Sequence, residues 1–192
     1  MSSLTLTKNS SDEILIQYCI IGDRLAQKAI YDKYASRLMS VCMRYAVDQP
    51  AAEDILQEGF IKAFKNLSKF RNEGSFEGWL RRIMVNTAIE IFRKKKYLYP
   101  VLEIETQQEK VTHDNVLAEL AAEDIMAIVM SLSPGYRTVF NMYAVEGYSH
   151  KEIAEQLNIS EGTSKSQLAR ARYILMKKVE ELTGVQRRAI GQ

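Results

Sequence analysis

The chain has 192 residues, 46% of them hydrophobic and 26% charged, which excludes wholesale disorder and allows one ordinary domain or two small ones. No apolar run of about 18 residues occurs, so membrane insertion is excluded, and the N-terminus MSSLTLTKNSSDE lacks the basic-then-apolar pattern of a secretory signal. The net charge of +2 conceals an asymmetry: residues 1–23 carry −2, residues 24–98 carry +7, residues 99–130 carry −6 and residues 131–192 carry +3.

Two basic blocks separated by an acidic stretch suit two modules that meet a polyanion, with a connector that avoids it. Two solvated domains with incidental charge bias are the alternative. Cys19 and Cys42 form no CxxC, so a disulfide scaffold and a cysteine zinc site are excluded and a reducing cytoplasm fits. With only His113 and His150 besides, neither a metal nor a cofactor is expected.

Periodicity is helical almost throughout and strand-like alternation is absent, so the fold class is all-α. A first helix follows Ser11 and Asp12. A second starts near Asp23 and continues to about Tyr45, with Ala26, Ile30, Tyr34 and Leu38 at helical spacing. Asp48-Gln49-Pro50 starts a third, because proline is tolerated in a first turn. Its apolar face is Ala52, Ile55, Leu56, Phe60, Ala63, Phe64 and Leu67. A loop over residues 68–74 leads to Ser75, an N-cap for a fourth helix from Phe76 to about Tyr97. Residues 99–122 lose apolar density and read as an acidic linker. Helices resume over 122–131, 134–145, 149–157 and 161 to about 183, and a tail follows Gly184. The architecture expected is a helical bundle, a linker and a smaller helical bundle.

The sharpest local signal is Tyr148-SHKEIAEQLNIS-Glu161-GTSKSQLARARYIL. A short helix, a turn through Asn158-Ile159-Ser160 and a second helix make a helix-turn-helix, whose second helix enters the major groove. At 100° per residue, Ser164, Leu168, Ala171 and Leu175 share the face that packs on the first helix. The opposite face carries Gly162, Lys165, Ser166, Ala169, Arg170 and Tyr173, flanked by Thr163, Gln167 and Arg172. These are small or hydrogen-bonding residues, suited to approaching base edges and phosphates. A plain helical hairpin with a wet basic face is the alternative. Ser164 is the anomaly, a polar residue on the core face.

In the first block, the third helix presents Glu53, Asp54, Gln57, Glu58, Lys62 and Lys65 on its polar face. Its acids either complement the helix dipole or dock a basic partner. A di-iron carboxylate site would need Glu-x-x-His pairs, and this segment has no histidine. On the fourth helix, Asn86, Arg93 and Arg82 lie within about 60° of Trp79. With the preceding Phe70, Arg71 and Asn72, and Lys94 to Lys96 beyond, rings alternate with amides and cations. That combination suits single-stranded nucleic acid, in which bases stack on rings and phosphates meet cations. Taken singly, Trp79 could be a core tryptophan and the Arg-Lys run a helix C-cap.

Together these segments resemble a bacterial sigma-70 family factor of the extracytoplasmic-function (ECF) group. AAEDILQEGFIKAFKNLSKF and GSFEGWLRRIMVNTAIEIFRKKK are similar to the family's region 2, and LSPGYRTVFNMYAVEGYSHKEIAEQLNISEGTSKSQLARAR to its region 4. The resemblance implies an extension and first helix over 1–23, region 2 over 24–98, a linker over 99–122, region 4 over 123–183 and a tail over 184–192. It implies a non-catalytic subunit that binds core RNA polymerase and directs it to promoter DNA. Asp54, Gln57 and Glu58 would grip the β′ clamp coiled coil, and the β flap would be a second contact. Phe70, Arg71, Asn72, Trp79, Arg82, Asn86 and Arg93 would bind the −10 element and promote melting. Thr163, Lys165, Ser166, Gln167, Ala169 and Arg170 would read the −35 element. An anti-sigma factor would be a further partner. Two positions depart from the family pattern: Ser164 stands where an aliphatic residue is usual, and Gln167 where arginine is frequent. A stand-alone helix-turn-helix regulator with a helical sensor domain is the first rival. A helical enzyme is the second, and it would need a clustered acid, base or metal constellation that the residues do not offer.

Overall fold

Short polar side chains start most of the helices, and the chain turns where they accept backbone N–H groups. The computed structural model describes residues 6–98 and 122–183. The expected linker up to residue 121, the tail after residue 183 and the first five residues lie outside the described residues. By contacts the chain divides into two units, Met1–Phe92 and Arg93–Gln192.

In the first unit, Ser11 caps α1 (Asp12–Ile20) by accepting from Ile14 N. Asp23 caps α2 (Arg24–Met43), its Oδ1 accepting from Leu25 N at 2.7 Å and Ala26 N at 2.9 Å. Asp48 Oδ1 accepts from Ala51 N at 2.8 Å to start α3 (Gln49–Asn66), with Pro50 in the first turn where a missing N–H costs nothing. A 3₁₀ turn, Leu67–Lys69, follows. Asn72 then takes a left-handed conformation (φ 58°), and Ser75 Oγ accepts from Gly78 N at 3.1 Å to open α4 (Phe76–Leu98).

The helix α2 packs on α1 and α3. Leu15, Ile30, Leu38, Leu80 and Met84 are fully buried between the helices. Of the apolar face expected on α3, only Phe64 is half-exposed; it stacks on Phe60 with ring centroids 5.8 Å apart. Two polar ties lock the bundle. Tyr34 Oη and Lys33 Nζ both donate to Asp12 at 2.7 Å, and Lys62 Nζ joins Glu58 on its own helix (2.9 Å) to Glu90 on α4 (2.8 Å).

The second unit holds α5 (Ala122–Met130), α6 (Pro134–Phe140), α7 (His150–Leu157) and α8 (Glu161–Thr183), with α5, α6 and α7 all packed on α8. Sequence periodicity carries α6 to Val145. Instead its last turn widens into a π turn, Asn141–Val145, with Glu146 N bonded to Asn141 O at 3.0 Å. A π turn takes one more residue than an α turn, and that shifts the register of the side chains after it. Asn141 and Met142 are fully buried here. Ser149 and Glu152 form a reciprocal capping box at the start of α7. The helix ends on Asn158 in the left-handed region (φ 53°), and Ser160 Oγ accepts from Thr163 N at 2.9 Å to open α8.

Among the described residues there is no strand, no helix long and apolar enough to cross a membrane, and no group of three or more potential metal ligands.

Candidate nucleic-acid interface

The α8 helix is two-sided. Ser164, Leu168 and Ala171 are buried against the rest of its unit, and Leu175 is half-buried. Lys165, Ser166 and Ala169 are exposed, and Arg170 is half-exposed. Lys165 reaches Glu161 one turn back at only 3.9 Å, a loose surface pair that leaves the ammonium available. The Arg170 guanidinium lies 5.1 Å from the centre of the Tyr173 ring, and Lys177 Nζ approaches the same ring at 4.7 Å. Tyr173 therefore steadies the guanidinium by a cation–π contact. Thr163 is half-buried; its Oγ1 pairs with Ser160 Oγ at 2.9 Å and its carbonyl accepts from Ser166 Oγ at 3.0 Å. Gln167 is also half-buried, and a Cβ added to Gly135 on α6 would stand 3.8 Å from its Oε1. Of the six residues expected to read duplex DNA, four thus lie toward solvent and two sit at the edge of the packed face.

Ser164 is completely buried, and its Oγ lies 2.9 Å from His150 Nδ1 on α7. The His150 ring in turn stacks on Tyr143 of the π turn, with centroids 4.6 Å apart and planes 24° apart. Arg172 lies over the other ring of this stack, 5.5 Å from the centre of Tyr143. Burial holds the His150 pKa below its ordinary value, helped by Lys165 and Arg172 and opposed by Glu161. The sequence singles out Ser164 as polar on a core face but not its partner. The usable signal was that a buried hydroxyl requires a partner, and His150 starts the helix against which Ser164 packs.

In the first unit, Arg71, Asn72, Arg82 and Asn86 are exposed, as is Arg93 at the start of the other unit. Phe70 and Trp79 are half-buried. Their rings close a cluster with Phe76, at 5.3 Å for Phe70–Phe76, 5.5 Å for Phe70–Trp79 and 5.7 Å for Phe76–Trp79. Phe76 also meets Tyr34 edge-on at 5.7 Å, so the cluster is continuous with the core. Lys94 is exposed; the Lys95 and Lys96 side chains lie outside those described.

On α3, Asp54 and Gln57 are exposed while Glu58 is half-buried and paired with Lys62. The competing attraction of Glu58 and Glu90 raises the Lys62 pKa against the opposing effect of burial. Lys62 thus remains a cation that neutralises part of the acidic face, a role that the linear pattern of charges does not reveal.

Comparison with known proteins places both units. Residues 30–97 match the Sigma-70 region 2 family and residues 122–175 the Sigma-70, region 4 family. The ECF RNA polymerase sigma factor SigW of Bacillus subtilis (strain 168) is 34% identical over 174 residues, covering 84% of this chain and 92% of that protein. The ECF RNA polymerase sigma-E factor of Haemophilus influenzae is 28% identical over 189 residues, covering 92% of this chain and all of that one. A solved structure of CnrH in complex with the cytosolic domain of CnrY matches 90% of this chain and 99% of that chain, at 21% identity and a TM-score of 0.46. Two sigma regions in order, with a relative so similar along almost its whole length, decide the family: the chain belongs to the ECF group of sigma-70 factors, transcription initiation factors that direct RNA polymerase to promoters.

Proposed function

We propose that the two units divide promoter recognition by the physical state of the DNA. The α8 face of Lys165, Ser166, Ala169 and Arg170, flanked by Thr163 and Gln167, reads the −35 element as duplex. The loop and α4 residues Phe70, Arg71, Asn72, Trp79, Arg82, Asn86 and Arg93 hold the −10 element as it opens. Asp54, Gln57 and Glu58 grip the clamp coiled coil of core polymerase, and the second unit also meets the β flap. The chain carries no chemistry of its own and acts as a specificity subunit in the cytoplasm, with residues 24–98 and 123–183 as its working parts and 99–122 as the connector. Membership of the ECF group adds an anti-sigma inhibitor to the expected partners.

The observation that carries this reading is the two-sidedness of α8. Its buried face is closed by packing, and its solvent face presents a lysine, a serine, an alanine and an arginine within two turns. An outer face so built is small enough to enter a major groove and supplies donors for phosphates and base edges. Ligand binding shifts an equilibrium only by its differential affinity, so residues that contact unpaired bases favour the open promoter.

The test is transcription in vitro by the chain reconstituted with core polymerase, with start sites mapped and the −35 and −10 sequences replaced in turn. Initiation that depends on both sequences and on the chain supports the division. Tight, sequence-selective duplex binding without polymerase, and no polymerase-dependent initiation, would instead indicate a stand-alone regulator.

A further inference from the structure

We infer that His150 is a positioning residue for DNA reading: its bond to Ser164 seats α8 on α7, and the seat weakens when the ring gains a proton. The inference rests on the proposed −35 role of α8.

Ser164 is 0% exposed, so water cannot satisfy its hydroxyl. A buried hydroxyl left without a partner costs about 1–3 kcal/mol. His150 Nδ1 supplies that partner at 2.9 Å, across the interface of the two helices. The ring is held from a second side by Tyr143, so it cannot swing away without unstacking. Ser164 lies between Thr163 and Lys165, and Ser166 follows. Any displacement of Ser164 therefore moves the side chains assigned to the −35 duplex.

The bond depends on the charge of the ring. A neutral imidazole that carries its proton on Nε2 accepts a hydrogen bond from the Ser164 hydroxyl at Nδ1. An imidazolium can only donate there, and the serine hydroxyl must turn its own proton elsewhere. The charged groups facing the ring from α8 are Lys165 and Arg172, which oppose a positive ring, and Glu161, which favours one. From the π turn the facing titratable group is Tyr143. On α7 itself, Glu152 is engaged in the capping box with Ser149.

The folded-state pKa of His150 lies below the ordinary value of 6.5, so the folded chain binds this proton less readily than the unfolded chain. In the folded chain the ring stays neutral and the seat intact until pH falls to that depressed value. Between 6.5 and that value the unfolded chain takes up the proton first, so folding stability declines over that window.

The experiment uses the full chain in holoenzyme, with duplex DNA carrying or lacking the −35 sequence. His150→Asn is the comparison, because Asn places an amide close to where Nδ1 stands and does not titrate. At about pH 7.5 the parent and His150→Asn are expected to select the −35 duplex equally. Once pH falls below the folded His150 pKa, the parent is expected to lose about threefold or more of that selectivity relative to His150→Asn in the same polymerase. Ring titration by nuclear magnetic resonance on the full chain supplies a readout free of DNA. His150 is expected to titrate below 6.5, and its pKa to rise in Ser164→Ala, which removes the hydroxyl that favours the neutral ring. Parallel pH profiles for parent and His150→Asn, with −35 selectivity intact at neutral pH, overturn the inference and spare the reading of α8. A His150 pKa unmoved by Ser164→Ala overturns it too. A parent with no −35 selectivity at neutral pH overturns the reading of α8, and the inference falls with it.

Discussion

Gly59 on α3 faces Met84 on α4 with no room for a side chain between them. A Cβ built on Gly59 would overlap Met84 Sδ and stand 2.8 Å from its Cε. Met84 is itself fully buried, so its Sδ and Cε can yield only by repacking among buried neighbours. The two helices meet at this glycine, and one turn further along α3 Lys62 latches them by its bond to Glu90. The spacing matters for function because α3 carries the proposed polymerase contacts and α4 the proposed −10 contacts. A shift of one helix alters the relation of both sets.

Gly59→Ala is therefore expected to destabilise the first unit, although alanine is the better helix former. Alanine gains about 1 kcal/mol in helix propensity over glycine. Overpacking a filled core costs about 1–3 kcal/mol, and here the added carbon meets a buried side chain. A net loss of about 1 kcal/mol is expected. Thermal or urea unfolding of the full chain measures it, and a variant more stable than the parent would show that Met84 can move aside.

Polymerase docking separates the acids of α3. Asp54 is exposed, and Asp54→Ala is expected to weaken binding to core polymerase about twofold to tenfold while leaving stability unchanged. Glu58→Ala removes one of the two carboxylates that hold Lys62, so it is expected to affect binding and slightly to loosen the α3–α4 latch. The pair is about a third exposed on the lysine side, which keeps the stability loss below about 1 kcal/mol. Titration of labelled core polymerase with each variant checks this, and undiminished affinity in both would remove α3 from the docking surface.

These two predictions use features of very different legibility. The caps Ser11, Asp23, Asp48, Ser75 and Ser160 could be placed from sequence because a cap is a bond between residues two or three apart. The buried faces of α3 and α8 follow from helical period for the same local reason. The meeting of Gly59 with Met84 links residues far apart in the chain, and a glycine has no side chain to register in a periodic pattern. The π turn was also hidden, since residues 134–145 carry no proline or glycine after Gly135 to interrupt the period. At the candidate site, the exposed cations and amides stood out, but the packing of Phe70 and Trp79 against Phe76 did not. An aromatic beside bases looks alike on paper whether its face is free or covered. Ser164 stood out as an exception to the pattern, and only the tertiary contact explains it.

Duplex reading is expected to depend on Arg170 and on the ring beneath it. If the guanidinium contacts a base with two hydrogen bonds, Arg170→Ala loses about 1–3 kcal/mol of discrimination at the −35 element. Tyr173→Leu keeps the helix but removes the cation–π contact made by Arg170 and Lys177, so it is expected to reproduce a part of that loss. Lys165→Ala is expected to weaken all duplexes alike and to flatten the salt dependence if its contact is to phosphate. Competition binding of holoenzyme at several salt concentrations resolves these patterns. Normal use of a −35-dependent promoter by both Arg170→Ala and Lys165→Ala would mean that the outer face of α8 is not the reading face.

Promoter opening is the sharpest test of the first unit, because the covered and uncovered residues there predict different defects. Asn86, Arg82, Arg71 and Asn72 are exposed and can meet an unpaired base without disturbing the core. Phe70 and Trp79 are half-buried in the cluster with Phe76, so their truncation also removes aromatic packing, worth about 0.5–1.5 kcal/mol per pair beyond area burial. Asn86→Ala and Arg71→Ala are therefore expected to leave the unfolding temperature unchanged and to reduce transcription from a linear duplex promoter. Phe70→Ala and Trp79→Ala are expected to lower both. Stacking on an exposed ring contributes about 1–3 kcal/mol per base in single-strand binding, so a Trp79 that holds a base must lose single-strand affinity beyond its stability defect. A premelted −10 bubble separates assistance from capture: a residue that helps opening is bypassed by it, and one that holds a flipped base is not. Permanganate reactivity of unpaired thymines then reads the open complex directly. If Asn86→Ala and Arg71→Ala open the duplex and bind single-stranded −10 DNA as well as the parent, the exposed residues of α4 and its loop have no part in melting. The cluster of Phe70, Phe76 and Trp79 would then serve only to close the end of a helical bundle.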